Sequence, residues 1–175
     1  MKKILLMSDT HNHLDKKMIY YVKWADEVWH AGDIGQIKII DELSKIKPLR
    51  AVYGNIDGNL LRSQLNEKLL FNCEGVKVLI THIGGYPGKY NLKAKKIILA
   101  EKPKIFICGH SHILRVNFDK KLNLIYINPG AAGVKGFHNI RTMVRFIIDK
   151  KEIINLEIIE LGPRGKIIST DQRTL

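Results

Sequence analysis

The sequence is poor in the residues that mark secreted or membrane proteins. It has only two cysteines among 175 residues, Cys73 and Cys108, and their spacing matches no thiol metal site or redox pair. Free thiols in an unsecreted chain point to the cytoplasm. The apolar run from Ile4 to Met7 is too short for the core of a secretory signal, and no later run approaches a membrane span. We therefore expect no membrane partner.

Acidic residues are scarce beside basic ones. There are 17 acidic and 29 basic residues, which gives a formal net charge of +12. The lysines are scattered, as in Lys16-Lys17, Lys120-Lys121 and Lys150-Lys151, and they mark no single groove. The charge therefore predicts a solvated surface that attracts small phosphorylated substrates, with no sequence-specific binding of nucleic acid.

Five short polar clusters are the main functional signal, because each stands directly after an apolar run. Such runs are typical of buried strands, and groups beyond the carboxyl ends of strands in an open α/β sheet share one crevice. We therefore predict that the clusters meet in one pocket. They are Ser8 to His11, Gly32-Asp33, Gly54 to Asp57, Thr81-His82 and Gly109 to His112, after the runs Ile4 to Met7, Glu27 to Ala31, Leu49 to Tyr53, Val76 to Ile80 and Ile105 to Cys108.

The clusters carry seven candidate metal ligands. Carboxylate, amide and imidazole donors suit Mn, Fe, Zn, Co or Ni better than Ca. Seven ligands exceed the shell of one catalytic ion, so two divalent ions are predicted, with one carboxylate bridging them. Two ions about 3.5 to 4 Å apart can activate a water and clamp the attacking and leaving oxygens of a phosphoryl displacement. The ligands are Asp9, His11, Asp33, Asn55, His82, His110 and His112.

The apolar spacing predicts an α/β fold of two packed sheets with helices outside. A second, mostly antiparallel sheet is expected after Ile113, and residues 1–161 are expected to form one domain. Residues 162–175 are either a loose tail or a contact in a homo-oligomer. The predicted helices are Leu14 to Ala25, Ile37 to Ile46 and Asn91 to Ala100, and the later strands are Ile113 to Phe118, Leu124 to Ile127, Thr142 to Ile148 and Ile153 to Leu161.

The order Asp-x-His, Gly-Asp, Gly-Asn-x-Asp, His, Gly-His-x-His resembles the calcineurin-like metallophosphoesterases, in particular their small single-domain bacterial and archaeal phosphodiesterase branch. The resemblance implies a four-layer α/β/β/α sandwich and points to Mn first among the candidate metals, with Mg also possible. It implies that Asp33 bridges the two ions. One ion would be held by Asp9, His11, Asp33 and His112, and the other by Asp33, Asn55, His82 and His110.

Two functions are open. The first is hydrolysis of phosphodiesters by in-line attack of a metal-bridging hydroxide, with catalytic roles for Asp33, Asn55, Asp57 and His110. The second is a protein-binding scaffold of the same fold with little or no catalytic activity. Many family members have His where this chain has Ile56, which offers no proton.

Four further features are candidates for the pocket. His13 and His138 could replace the missing acid, or they could be ordinary surface histidines. The segments Gly84 to Gly88 and Asn128 to Gly133 either shape the substrate site or serve as plain connections.

Overall fold

Two five-stranded sheets pack face to face in the computed structural model, which describes residues 1–165. The elements follow one another as β1 (Lys2–Met7), α1 (Lys16–Trp24), β2 (Glu27–His30), α2 (Ile37–Ile46), β3 (Leu49–Ala51), α3 (Asn59–Gln64), β4 (Lys68–Cys73), β5 (Val76–Thr81), β6 (Gly85–Tyr86), β7 (Lys89–Tyr90), α4 (Leu92–Glu101), β8 (Ile105–Ile107), β9 (Leu114–Asp119), β10 (Leu124–Pro129), β11 (Ile140–Asp149) and β12 (Glu152–Pro163).

Each sheet is mixed. The first has the order β12-β11-β1-β2-β3, in which β1, β2 and β3 are parallel, β11 is antiparallel to β1, and β12 is antiparallel to β11. The second has the order β4-β5-β8-β10-β9, in which β5, β8 and β10 are parallel and the two edge strands are antiparallel. The three parallel strands of each sheet therefore end at the same edge, where ligands can collect.

Three apolar layers hold the four layers of secondary structure together. Strand β1 is buried on both faces, as expected of a strand covered on two sides. Its residues Leu5 and Met7 pack with the first two helices, while Ile4 and Leu6 pack between the sheets. On the far side, Ile98 of α4 packs against the second sheet. The α/β/β/α sandwich expected from the sequence is confirmed.

The membership of the C-terminal strands was predicted wrongly. We expected all strands after Ile113 to form the second sheet, but β11 and β12 join the first sheet beside β1. The second sheet is instead completed by β4 and by two strands that carry ligand clusters, β5 and β8. Helix α3 and strand β4 were not expected at all.

The last described strand runs past residue 161, and the division into a domain of residues 1–161 and a tail stays a prediction. Strand β12 continues to Pro163, two residues beyond the expected end of the domain, and the Arg164 N–H donates to the Asn139 carbonyl at 2.9 Å. The rest of the expected tail lies outside the described residues. Within residues 1–165, no helix is both long and apolar enough to cross a membrane.

Candidate metal centre

The loops that carry the ligand clusters come from both sheets. Asp9 follows β1, Asp33 follows β2 and Asn55 follows β3, whereas His82 follows β5 and His110 follows β8. The sequence prediction placed all of these loops on one open sheet. The structure instead joins two sheets at this edge, so the pocket is walled on two sides.

One group of donors is formed by Asp9, His11 and His112, whose ligand atoms all lie within 4.8 Å of one another. The Nε2 atoms of the two histidines face each other at 3.4 Å, and His112 Nε2 is 3.2 Å from Asp9 Oδ1. That carboxylate oxygen is buried and has no hydrogen-bond partner among residues 1–165. A buried orphan acceptor between two imidazole nitrogens is what a cation would satisfy.

A second group is formed by Asp33, His82 and His110, again within 4.8 Å. His82 Nε2 is 3.2 Å from Asp33 Oδ1 and 3.0 Å from Asn55 Oδ1. His82 Nδ1 lies 2.8 Å from the Ala31 carbonyl, so it donates its proton there and leaves Nε2 as the metal-binding atom. The donors therefore suit a divalent ion at this group as well.

Asp33 reaches both groups. Its Oδ2 lies 3.8 Å from His11 Nε2, while its Oδ1 faces His82. Burial raises the pKa of Asp33, but the hydrogen bond to His82, the charge of His82, the Ile56 N–H and the charge of His11 together lower it overall. Burial in turn lowers the pKa of His82, but Asp33 and the charge of Asp9 outweigh it and raise that pKa. The carboxylate is thus held ionised, as a bridging ligand must be.

The ligand loops adopt a backbone conformation that costs free energy. Non-glycine residues rarely have positive φ, and such outliers cluster at functional sites. Backbone hydrogen bonds between loops hold them in place, including Asp9 N–H to Gly32 O at 2.9 Å and Gly109 N–H to His82 O at 3.0 Å. The ligands concerned are Asp9, His11, Asp33, His110 and His112, with φ of 53°, 46°, 54°, 68° and 57°.

Glycine precedes the ligands because the loops approach one another closely. A Cβ at Gly54 would lie 2.0 Å from Asp33 Oδ1, and one at Gly109 would lie 2.0 Å from Ser8 Oγ. Any side chain at either position would displace a neighbouring loop.

Asp57 has a different place from the catalytic one that the sequence suggested. Its Oδ2 accepts the N–H of Gly54 at 2.7 Å and of Ile34 at 3.2 Å, and its Oδ1 accepts the N–H of Gly35 at 2.7 Å. The carboxylate is buried and fastens the loop after β3 to the loop after β2. We therefore assign it a positioning role.

His30 is a supporting residue that the sequence analysis missed. It is fully buried behind the pocket, and burial lowers its pKa to about 4, so the ring is neutral. Its Nδ1 accepts the Gly32 N–H at 3.2 Å, and its Nε2 lies 3.0 Å from Thr10 Oγ1. The one signal in the sequence was its position just before Gly32-Asp33.

The two histidines suggested as substitutes for an acid differ in surroundings. His13 Nε2 accepts from Arg141 at 2.7 Å, and Arg141 also pairs with Asp15 at 2.8 Å, so this imidazole is engaged in a structural ion pair. His138 lies beside the centre, since its ring is 5.2 Å from that of His112. Its Nε2 is 3.0 Å from the Gly133 carbonyl, to which it donates.

The two loops that the sequence suggested as parts of the pocket, residues 128–133 and 84–88, lie in different places. Asn128 is buried, and its side-chain amide donates to the Gly109 carbonyl at 2.8 Å. It therefore helps to orient the loop that carries His110. The Gly133 N–H donates to the Asp9 carbonyl in the same way. Residues 84–88, by contrast, enter the β6-β7 hairpin and line an open cleft.

Two clefts flank the second donor group. One has a volume of about 530 Å³ and is lined by Asn55, His82, Arg62, Lys93 and Lys96 among others. The other has a volume of about 730 Å³ and runs from His110 along the β6-β7 hairpin. Both volumes are typical of small-molecule sites.

Comparison with known proteins identifies relatives over nearly the whole chain. The profile of the calcineurin-like phosphoesterase superfamily domain matches residues 1–151. A probable metallophosphoesterase of Methanothermobacter thermautotrophicus is 26% identical over 163 residues, which cover 90% of this chain and 91% of the relative. A phosphodiesterase of Methanocaldococcus jannaschii is 28% identical over 144 residues, 73% of this chain and 82% of the relative.

Solved structures share the fold. A structure described as a novel archaeal phosphodiesterase has a TM-score of 0.71 at 24% identity and covers 91% of this chain and 99% of its own. Vps29 of Entamoeba histolytica, solved with Zn²⁺, has a TM-score of 0.70 at 16% identity and covers 93% of this chain and 99% of its own. At these identities the likeness concerns the fold alone.

Proposed function

The chain belongs to the calcineurin-like phosphoesterase superfamily, and we propose that it is a two-metal phosphodiesterase. The observation that carries the proposal is the pair of donor groups, which Asp33 connects by placing one carboxylate oxygen near each. Two divalent ions held there would supply Lewis acidity that activates a water and offsets charge on the phosphoryl oxygens.

The residues divide the work by their exposure. Asp9, Asp33 and His82 are buried and serve as fixed ligands, whereas Asn55 and His110 are exposed at the mouth of the pocket. We propose that these two face the substrate phosphate and donate hydrogen bonds to its oxygens, a role that stabilises the charge developing there. Asp57 and His30 keep the ligand loops in register.

The leaving group receives no proton from the loop after β3. Ile56 stands next to Asn55 with 47% of its surface exposed, and its side chain has no group that can donate a proton. General acid assistance is typically worth about 10² to 10⁴ in rate. We therefore propose that the substrates are diesters, or esters of acidic alcohols, whose leaving groups need little protonation.

The test is a screen of metals against substrates on chelated protein. We expect no turnover without metal and restored hydrolysis of bis(p-nitrophenyl) phosphate with Mn²⁺, which accepts both imidazole and carboxylate. Fe, Zn, Co, Ni and Mg are compared in the same assay. Absence of diester hydrolysis with every metal would refute the proposal.

A scaffold is the second candidate, and one observation favours it. Ile56, Ile83 and Ile113 each directly follow a candidate ligand and are 47%, 44% and 61% exposed. This apolar rim could dock a protein partner, and Vps29 is among the structural neighbours. Stable capture of one specific protein by a metal-loaded chain without turnover would favour the scaffold. The cytoplasmic location and the oligomeric state stay predictions.

A further inference from the structure

The cleft along the β6-β7 hairpin has the composition of a site for a planar aromatic group. We call it the aromatic cleft and define it by Ile83, Tyr86, Lys89, His110, Ile113 and Arg115. Its side walls are apolar at the two isoleucines and aromatic at Tyr86. His110 belongs both to this cleft and to the second donor group, so a molecule in the cleft adjoins the candidate metal centre.

Tyr86 and Arg115 form a stacked pair at the wall. The guanidinium carbon of Arg115 lies 4.9 Å from the centre of the tyrosine ring, and Tyr86 is 43% exposed. Stacked arginine and tyrosine side chains form the kind of platform on which bases and other aromatic rings bind. The pair comes from two elements, β6 and β9, so it exists only in the folded chain.

The hairpin that carries Tyr86 is fixed in place from behind. The Tyr126 hydroxyl donates to the Gly85 carbonyl at 2.7 Å, and the Tyr90 hydroxyl donates to Asp119 at 2.8 Å. Burial raises the pKa of both tyrosines, so both stay protonated and act as donors. A platform that is already ordered loses little conformational entropy when a ligand binds.

The charge of the cleft suits a phosphate ester. Lys89 and Arg115 are its charged side chains, and none of the described residues that line it is acidic. The other cleft is also basic, with Arg62, Lys68, Lys93 and Lys96 beside Glu67, so the aromatic cleft differs from it in its exposed aromatic wall and not in the sign of its charge. An anionic ligand with a ring therefore has two attractions to the aromatic cleft. The basic side chains attract its phosphate, and the aromatic wall binds its ring.

From these observations we propose that the aromatic cleft binds the aromatic substituent of the substrate diester, a nucleobase or an aryl ring, while the phosphate sits at the metal centre. This inference rests on the proposed function. Of the two rings, Ile56 favours the aryl ester, because a phenolate leaves without help from a general acid, whereas the leaving group of a nucleotide ester is the alkoxide of a sugar.

The experiment measures binding rather than turnover. Dissociation constants of adenosine 5′-monophosphate, phenyl phosphate and methyl phosphate are determined by calorimetry on the Mn²⁺-loaded protein. The three ligands share the phosphate and differ in the group attached to it, which in the nucleotide includes a ribose as well as the base. The part of each ratio that comes from the cleft is therefore the part that the cleft variants remove. The variants are Tyr86→Ala and Arg115→Gln, and Tyr20→Ala on α1, an exposed tyrosine outside the cleft, is the control.

We expect the wild-type chain to bind at least one ring-bearing ligand about tenfold more tightly than methyl phosphate, a moderate value for base stacking. Tyr86→Ala and Arg115→Gln should reduce that ratio to below about threefold, with metal content unchanged in both. The affinity for methyl phosphate should stay unchanged in Tyr86→Ala and should fall in Arg115→Gln, which also removes a positive charge. The nucleotide and phenyl arms tell which ring the cleft prefers.

Equal binding of all three ligands by the wild-type chain would overturn the inference, and so would ratios that the two variants leave unchanged. Both results can be obtained even if no diester is hydrolysed, so failure of the cleft is distinguishable from failure of the catalytic proposal. If neither wild type nor variants hydrolyse diesters but the affinity ratio between ring-bearing ligands and methyl phosphate depends on Tyr86, the binding role of the cleft is supported and the catalytic proposal is refuted.

Discussion

Asp33 is the residue on which the two donor groups depend together. Its two oxygens face His82 on one side and His11 on the other. Asp9 belongs to only one group. Both carboxylates are buried, but Asp33 contacts both donor groups and Asp9 contacts one. We therefore expect their removal to have different consequences.

We predict that Asp33→Ala lowers the metal content from two ions to less than one per chain, whereas Asp9→Ala mainly weakens one ion. The measurement is metal content after gel filtration, with Asp41→Ala on the exposed face of α2 as the control. Two tightly retained ions in Asp33→Ala would disprove the bridge.

Ile56 is the position at which the proposed preference for diesters over alkyl monoesters can be tested. We predict that Ile56→His raises kcat/KM for an alkyl phosphate monoester at least about tenfold, a conservative part of the range for general acid catalysis. Activity on an aryl diester should change little. The measurement is kcat/KM for both substrates at saturating Mn²⁺.

The new imidazole would have to act without help from Asp57, which is committed to three backbone N–H groups. The control is Ile56→Gln, which is polar but cannot transfer a proton at neutral pH. An equal gain in that variant would exclude proton transfer as the cause.

At the scale of elements, helix α1 is tied to strand β11 through its N-cap. Asp15 accepts the Met18 N–H at 2.9 Å and pairs with Arg141 of β11 at 2.8 Å. Burial raises the pKa of Asp15, but the Met18 N–H and Arg141 outweigh it and lower the pKa to about 2. The loop between β1 and α1, which carries His11, is thereby held from its far end.

The sign of the pH dependence follows from the lowered pKa. The ion pair stabilises the fold above the unfolded pKa of about 3.9, and this stabilisation is lost as pH falls through about 2. We predict that Asp15→Asn, which keeps a capping oxygen, is less stable than wild type by about 2 kcal/mol at pH 6 and by under about 1 kcal/mol at pH 2.5.

Urea unfolding of metal-free protein at both pH values measures the difference. Asp41→Asn, an exposed change in α2, should show no such trend. If the difference in free energy of unfolding between wild type and Asp15→Asn is the same at both pH values, the charge of Asp15 contributes nothing to stability.

The elements differ in how far the sequence revealed them. Helix α2 was predicted with its observed bounds, because its apolar residues recur at helical spacing. Helix α3 has only six residues, and β4 is an edge strand with half-buried alternation, so neither carries a strong pattern. The sheet to which β11 belongs depends on pairing with β1 across most of the chain, which local periodicity does not contain.

The candidate ligands show the same division. They could be proposed from residue type, order and position after apolar runs. The structure places six of them in two groups and the seventh, Asn55, beside His82 of the second group. The supporting roles of His30 and Asp57 could not be predicted from residue type, order and position in the sequence. Both depend on backbone N–H groups of another loop, and which loops converge is a property of the packed sheets.

At the scale of the whole molecule, the candidate centre fastens two sheets together. His82 and His110 belong to loops of the second sheet, while Asp33 belongs to the first. Ions bound only by the folded chain raise its free energy of unfolding according to their concentration and affinity.

We predict that Mn²⁺ at about 100 times its dissociation constant stabilises the chelated protein by about 2.7 kcal/mol for each such site. For a chain of this length, that corresponds to a rise in Tm of about 5 to 10 °C. Thermal unfolding across a Mn²⁺ titration measures it. Asp33→Ala should gain much less, and an equal gain in that variant would place the stabilising ions elsewhere.

The pairing of β1 with β11 has a consequence for synthesis on the ribosome. Lys2 pairs with Ile148, so β1 keeps an open edge until β11 has been translated and has left the exit tunnel. An unpaired apolar edge can associate with other nascent chains. His112 precedes β11, so every candidate ligand has been translated while the first sheet is still incomplete. The candidate centre therefore reaches its final geometry only after β11 has paired with β1, although all of its ligands are synthesised earlier.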